Sequence, residues 1–212
     1  MFTGIVAAVC AVIRIDETGP AIGLNVELGS LSDGLVEGSS VSVNGVCLTA
    51  SHIENGEATF FVVPATANLT NLESCNVGSR VNIERSLKFG SEIGGHVLSG
   101  HICDVVRVVD ASNNGKEPAI SFEVPEEWCR FLFPKGFIAL NGVSLTLAEF
   151  DRNTNIGSVN LIPDTLERTN LGSVAPGDLL NLEVDSQTQS IVETTESFLR
   201  GNFEWIRSLL QS

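Results

Sequence analysis

Basic residues are scarce. The 212-residue chain has 12 lysines and arginines against 26 acids, a formal net charge of −14. A field of that sign repels phosphate backbones and anionic lipid, which argues against nucleic-acid and membrane-surface partners. No basic patch with interleaved aromatics offsets it. Long apolar runs are missing as well: none reaches the ~18 residues of a membrane span. Met1 to Val12 lacks the charged n-region of a secretory signal. Three histidines are too few for a His-rich metal centre. The five cysteines (Cys10, Cys47, Cys75, Cys103, Cys129) are odd in number and form no CxxC. A disulfide framework or zinc site is therefore disfavoured, and a reducing, cytoplasmic setting is expected.

What is present is a core-forming composition, 43% hydrophobic with 18% charged residues, in a length that suits one or two domains. The order of residues decides between these. Asn44-Gly45-Val46-Cys47-Leu48-Thr49 returns as Asn141-Gly142-Val143-Ser144-Leu145-Thr146 at an offset of 97. Pro64, Thr66, Thr70, Asn71 and Leu72 return as Pro163, Thr165, Thr169, Asn170 and Leu171, at 99. Gly78, Asn82 and Glu84 return as Gly177, Asn181 and Glu183, and Gly4-Ile5-Val6 aligns more weakly with Gly100-His101-Ile102. Ordered matches with slowly drifting offsets predict a duplicated domain of about 90 residues.

Each half reads as β. Short β-favouring runs at 41–43, 58–63, 120–124, 136–140 and 157–162 are separated by turn signals such as Asn55-Gly56 and Ala175-Pro176-Gly177. About six strands per half close most economically into a small antiparallel barrel, which leaves no edge exposed. The expected units are residues 1–87 and 98–187, joined by a glycine-bearing connection. From Ser190 the period becomes helical: Val192, Leu199, Phe203, Ile206 and Leu210 form an apolar stripe that Ile191, Phe198, Trp205 and Leu209 broaden. A helix over 190–211 covers either its own barrel or a neighbouring subunit.

Several side chains are candidates for chemistry. Cys47 and its repeat partner Ser144 differ in polarity, which suggests a surface wetter than a core, although a cysteine in a strand is also a common core residue. Thr49 and Thr146 follow two residues on, hence on the same sheet face. His96 and His101 suit surface or capping roles, or proton transfer near pH 7 by His101. Lys135 is either a solvated charge or a ligand contact. Asp185 aligns with Ser86 and so breaks the repeat symmetry. The segments 61–66 and 161–166 are either turns fixed by Pro64 and Pro163, or strand ends whose free amides meet a flat heterocycle.

In combination these residues resemble the riboflavin synthase family, alpha-subunit type, over nearly the full chain. The resemblance rests on Met1-Phe2-Thr3-Gly4-Ile5-Val6, the paired NGVCLT and NGVSLT segments, and Gly94-Gly95-His96 through Ser99-Gly100-His101. It also rests on Ile162 to Thr169 and on Asn181 to Asp185. It implies an all-β chain of two tandem six-stranded antiparallel Greek-key barrels with a C-terminal oligomerisation helix, assembled as a homotrimer. It implies dismutation of two 6,7-dimethyl-8-ribityllumazine molecules, with no metal and no dissociable cofactor, and association with lumazine synthase. Carried over, Gly4, Ile5, Val6, Cys47, Leu48, Thr49, Phe61, Val62, Val63, Pro64, Ala65 and Thr66 line a first pocket. Gly100, His101, Ile102, Ser144, Leu145, Thr146, Leu161, Ile162, Pro163, Asp164, Thr165 and Leu166 line a second, with Lys135 reaching in from a different chain. His101, Ser144, Thr146, Cys47 and Asp185 are the catalytic candidates. The chain departs from the usual family pattern at Asn141, at Ile102-Cys103 and at Ala65-Thr66-Ala67. Two other readings compete: a lumazine- or flavin-carrying optical antenna protein, and the flavin-binding barrel of a reductase, for which no nucleotide-binding half follows.

Overall fold

A computed structural model describes residues 1–112, 118–203 and 207. The first barrel comprises β1 (Ala8–Asp16), β2 (Ile22–Glu27), β3 (Ser40–Val43), β4 (Val46–Glu54), β5 (Glu57–Val62) and β6 (Arg80–Arg85). The second comprises β7 (Asp104–Ser112), β8 (Ala119–Glu123), β9 (Phe137–Leu140), β10 (Val143–Asp151), β11 (Ile156–Asn160) and β12 (Leu179–Val184). Both are closed, in the orders β1-β2-β5-β4-β3-β6 and β10-β11-β8-β7-β12-β9. Replacing each second-half strand by its counterpart gives the same cycle, so the duplication covers the topology as well as the sequence.

Local chemistry explains the closure. Asn44-Gly45 and Asn141-Gly142 have positive φ at both positions (48° and 83°, 47° and 75°), the backbone that a two-residue hairpin needs. Bulges fall at matching places, after Val12 and Val108 and after Ala50 and Leu147. Each adds the local bend by which a short sheet curls onto itself. Alternate residues then fill the interior: Leu24, Val26, Val41, Val43 and Phe60 in one barrel, Val106, Phe122, Ile138, Leu140 and Leu182 in the other.

The short helices α1 (Pro64–Ala67) and α2 (Pro163–Arg168) each begin on the proline that seeds a first turn. The helix α3 (Ser186–Gly201) starts earlier than Ser190. Asp185 caps it, accepting from Thr188 N at 2.9 Å and Thr188 Oγ1 at 2.7 Å. Val192 packs against the second core, and Arg130 pairs with Glu196 at 2.8 Å. Ile191, Phe198, Leu199 and Phe203 are exposed in the single chain. The expected stripe residues Trp205, Ile206, Leu209 and Leu210 lie outside the described residues.

The barrels meet across a pseudo-twofold seam of paired asparagine contacts. Asn71 N donates to Asn181 Oδ1 and Asn170 N to Asn82 Oδ1, both at 2.7 Å. Asn82 Nδ2 reaches Asn141 O at 2.9 Å, and Asn181 Nδ2 reaches Asn44 O at 2.8 Å. Gly45 and Gly142 touch at the centre, where a Cβ on either would fall 2.7 Å from the other's backbone nitrogen.

Two N-terminal straps complete the seam. Glu84 accepts Thr3 N, Thr3 Oγ1 and Gly4 N, while Glu183 accepts Ser99 N, Ser99 Oγ and Gly100 N. Each strap then crosses to the opposite barrel. Gly4 O accepts Ser144 N and Gly100 O accepts Cys47 N, both at 2.9 Å. Val6 packs in the second core and Ile102 against the first. The straps pair with each other through Phe2 and Leu98.

Burial pushes both Glu84 and Glu183 above the ordinary carboxylate range, against the downward pull of their strap donors. Above the ordinary value and below the raised one, the folded chain keeps protons that the unfolded chain has released. Each carboxyl therefore contributes stability that declines as pH rises through that window. The unfolding free energy of the native chain minus that of Glu84→Gln should fall with rising pH in urea titrations. A constant or rising difference would contradict the assignment.

Candidate active site

Period-two alternation along β10 turns Val143, Leu145 and Leu147 into the barrel and leaves Ser144, Thr146 and Ala148 on its outer face. Over that face lies a cavity of about 500 Å³, lined by Lys135, Ser144, Leu145, Thr146, Leu147, Ala148, Asn160, Ile162 and Thr165. The last two come from the segment that ends β11 and begins α2. The site is thus a concave patch on the outside of a barrel, bounded by a strand, a strand end and a short helix.

Lys135 sits there at φ +69°, its N–H donating to Leu147 O at 2.7 Å. Its repeat counterpart is Gly38, at φ +87° with the same bond to Ala50 O, 2.8 Å. The turn requires a left-handed residue, which glycine adopts freely and lysine only at a cost. A lysine held in that conformation on a cavity wall points to a side-chain role. In the single chain it lines the cavity over its own barrel.

Ser144 is the best-fixed side chain of the site. Its Oγ lies 2.7 Å from Nδ1 of His96, a buried ring stacked on Phe137 with centroids 4.8 Å apart. Burial holds His96 below the ordinary histidine range, against the upward pull of Asp185.

Cys47 and Thr49 occupy the corresponding outer face of β4. Gly100 O bonds Cys47 N, which brings the exposed His101 to the first barrel. The straps have therefore changed places relative to the sequence expectation: Gly4, Ile5 and Val6 lie against the second barrel, and Gly100, His101 and Ile102 against the first. The catalytic candidates divide accordingly. Ser144 and Thr146 are on the second barrel, Cys47 and His101 on the first, and Asp185 caps α3 within electrostatic reach of His96.

Alternation also sorts the remaining expectations. Leu48, Val62 and Leu161 point into the cores. Phe61, Val63 and Ile162 stand exposed. Val62 and Pro64 line a separate cavity of about 290 Å³, whose counterpart at Leu161 and Leu166 is only about 40 Å³. Pro163 opens α2, Asp164 pairs with Arg168, Ala65 is exposed and Thr66 half-buried. A groove of about 540 Å³ along the asparagine seam has its amides bonded to one another.

Sequence reading missed His96 as a site residue, and also Asn160, Leu147 and Ala148. Asn160 was detectable: at an offset of 99 it replaces Phe61, just ahead of the matched proline segments.

The lumazine binding domain family matches residues 3–86 and again 99–185. Riboflavin synthase of Escherichia coli (strain K12) is 41% identical over 204 residues, 94% of this chain and 93% of that protein. The chain belongs to the riboflavin synthase family. The riboflavin synthase of Schizosaccharomyces pombe (strain 972 / ATCC 24843) is 31% identical over 210 residues, 98% of each chain. Among solved structures, LumP complexed with riboflavin superposes with a TM-score of 0.80 at 26% identity, covering 88% of this chain and 100% of that one. LumP complexed with 6,7-dimethyl-8-(1'-D-ribityl) lumazine shares the fold over the same fractions, with a TM-score of 0.79 at 24% identity.

In a riboflavin synthase chain with this backbone, Lys135→Gly should leave stability unchanged or raise it by about 1 kcal/mol, by relieving the left-handed lysine. Turnover of lumazine should fall severalfold. Matching urea midpoints with undiminished turnover would assign Lys135 to solvent.

Proposed function

We propose that this chain is a transferase that moves a four-carbon unit between two molecules of 6,7-dimethyl-8-ribityllumazine. The products are riboflavin and 5-amino-6-(ribitylamino)uracil, in the last step of riboflavin synthesis. The observation that carries this reading is full-length membership of the family, together with a cavity on the matched NGVSLT strand.

The chemistry asks little of side-chain acidity. The 7-methyl group of the lumazine is acidic because the ring delocalises the carbanion, so the main task is to align two rings. Exchange between two identical molecules needs no external oxidant. One lumazine lies over Ser144, Thr146 and Lys135 and the other over Cys47 and Thr49, within the units 98–187 and 1–87. Polar groups at both faces move protons to and from the rings.

Among the described residues the cavity over β10 is lined by the second barrel alone, and we place the first barrel of a neighbouring subunit against it. Ile5, Phe61, Val63 and Ile162 are more than half exposed in the single chain, the kind of apolar surface that a partner covers. A homotrimer closed by the helix of residues 190–211 fits that need, and association with lumazine synthase would deliver substrate directly. The free cysteines fit a reducing compartment, and we place the enzyme in the cytoplasm.

The likeness to LumP favours one rival, a lumazine carrier without turnover. The higher identity to synthases over the whole chain favours catalysis. The purified chain, given the lumazine alone, should release one riboflavin for every two substrates consumed. Tight fluorescent binding without product would replace the enzyme with the carrier. Separately, removal of residues 190–212 should lower the mass measured by light scattering below that of a trimer. An unchanged mass would take the helix out of the interface.

A further inference from the structure

Ser144 is pinned from several directions. Its N–H donates to Gly4 O at 2.9 Å. A Cβ on Gly4 would lie 2.5 Å from Ser144 Cβ, and one on Gly95 would lie 2.7 Å from it. Two bare backbones therefore press on the residue, and the second delivers His96, whose Nδ1 is 2.7 Å from Ser144 Oγ. His96 is 7% exposed, and its ring lies nearly parallel to Phe137, at 15°.

The other face of this histidine is costly. Nε2 is buried without a hydrogen-bond partner among the described residues. An unpartnered buried polar atom costs free energy that an apolar ring stacked on Phe137 would not. Packing alone therefore does not account for a histidine here, whereas its bond to Ser144 does. Among the described residues Cys47, the counterpart of Ser144, has no histidine bonded to its Sγ. The feature belongs to the second site alone.

We propose that His96 is a positioning residue for the dismutation. Its Nδ1 accepts the Ser144 O–H, so Ser144 Oγ faces the cavity as a hydrogen-bond acceptor for the substrate ring. Phe137 fixes the plane of the imidazole, and Gly95 allows the approach. This inference rests on the second barrel binding lumazine, and it names the partner through which Ser144 acts.

His96→Phe tests it, because it keeps the stacked ring and removes only the hydrogen bond. Its urea midpoint should equal or exceed that of the native chain, since the orphaned nitrogen is gone. kcat should fall on the order of tenfold, the scale of one lost polar contact in the transition state. KM and the fluorescence-titrated affinity for lumazine should move less than kcat. His96→Asn, whose amide occupies the Nδ1 position, should recover part of the loss. In a Ser144→Ala background, His96→Phe should add nothing further. Native kcat in His96→Phe, or losses that multiply independently of Ser144, would overturn the proposal while leaving the lumazine reading intact. A native chain that neither binds nor converts lumazine would remove both.

Discussion

Two buried carboxylates hold the halves of this molecule together. A strap that leaves a barrel carries amide groups that need acceptors, and Glu84 and Glu183 supply them at the point of departure. Each carboxylate takes three donors, and its strap then runs onto the neighbouring barrel. There the strap carbonyl meets a strand amide at Ser144 or Cys47. The asparagine seam fills the rest of the junction with matched donors and acceptors, as a buried polar surface requires. The same crossing builds the site: Gly4 and Gly95 close on Ser144 from a strap and from the connection between barrels. The strap that joins the barrels is also part of the wall around Ser144.

The scaffold is symmetric and the side chains on it are not. Matching strand orders, bulges and hairpins repeat in both halves, whereas Gly38 faces Lys135, Phe61 faces Asn160 and Cys47 faces Ser144 across the repeat. A reaction between two copies of one molecule needs this combination. Both copies must be held by similar surfaces, yet one must give up atoms and the other receive them. In the proposed reaction a backbone common to both halves would meet the first requirement, and the side-chain differences at these three pairs of positions the second.

Much of this was legible in the residues. The Asn-Gly turns and the offsets near 97 and 99 fixed the duplication, and alternation placed Ser144 and Thr146 on one face. The exchange of straps was not legible. Gly4-Ile5-Val6 and Gly100-His101-Ile102 align with each other, so the repeat alone does not say which barrel either one touches. His96 was visible but read as a surface or capping residue: it lies outside the matched segments, so no repeat partner tied it to the site. The helix began too late in the sequence reading because apolar period marks where a helix is buried, while its start was set by a polar cap at Asp185. Residue type left Lys135 open between a solvated charge and a ligand contact, because backbone conformation is not written in side-chain chemistry. Only alignment with Gly38 exposes the left-handed turn.

The crossed straps bear on how such a molecule arose. Before duplication, a single barrel with this N-terminal segment would have had no second barrel in its own chain to receive it. Two copies facing each other across a dyad could have traded arms, each completing the other, the arrangement known as domain swapping. Fusing those copies end to end converts a contact between chains into one within a chain and frees it from dilution. The fusion also releases the two copies to mutate separately, a freedom that an identical pair encoded once does not have.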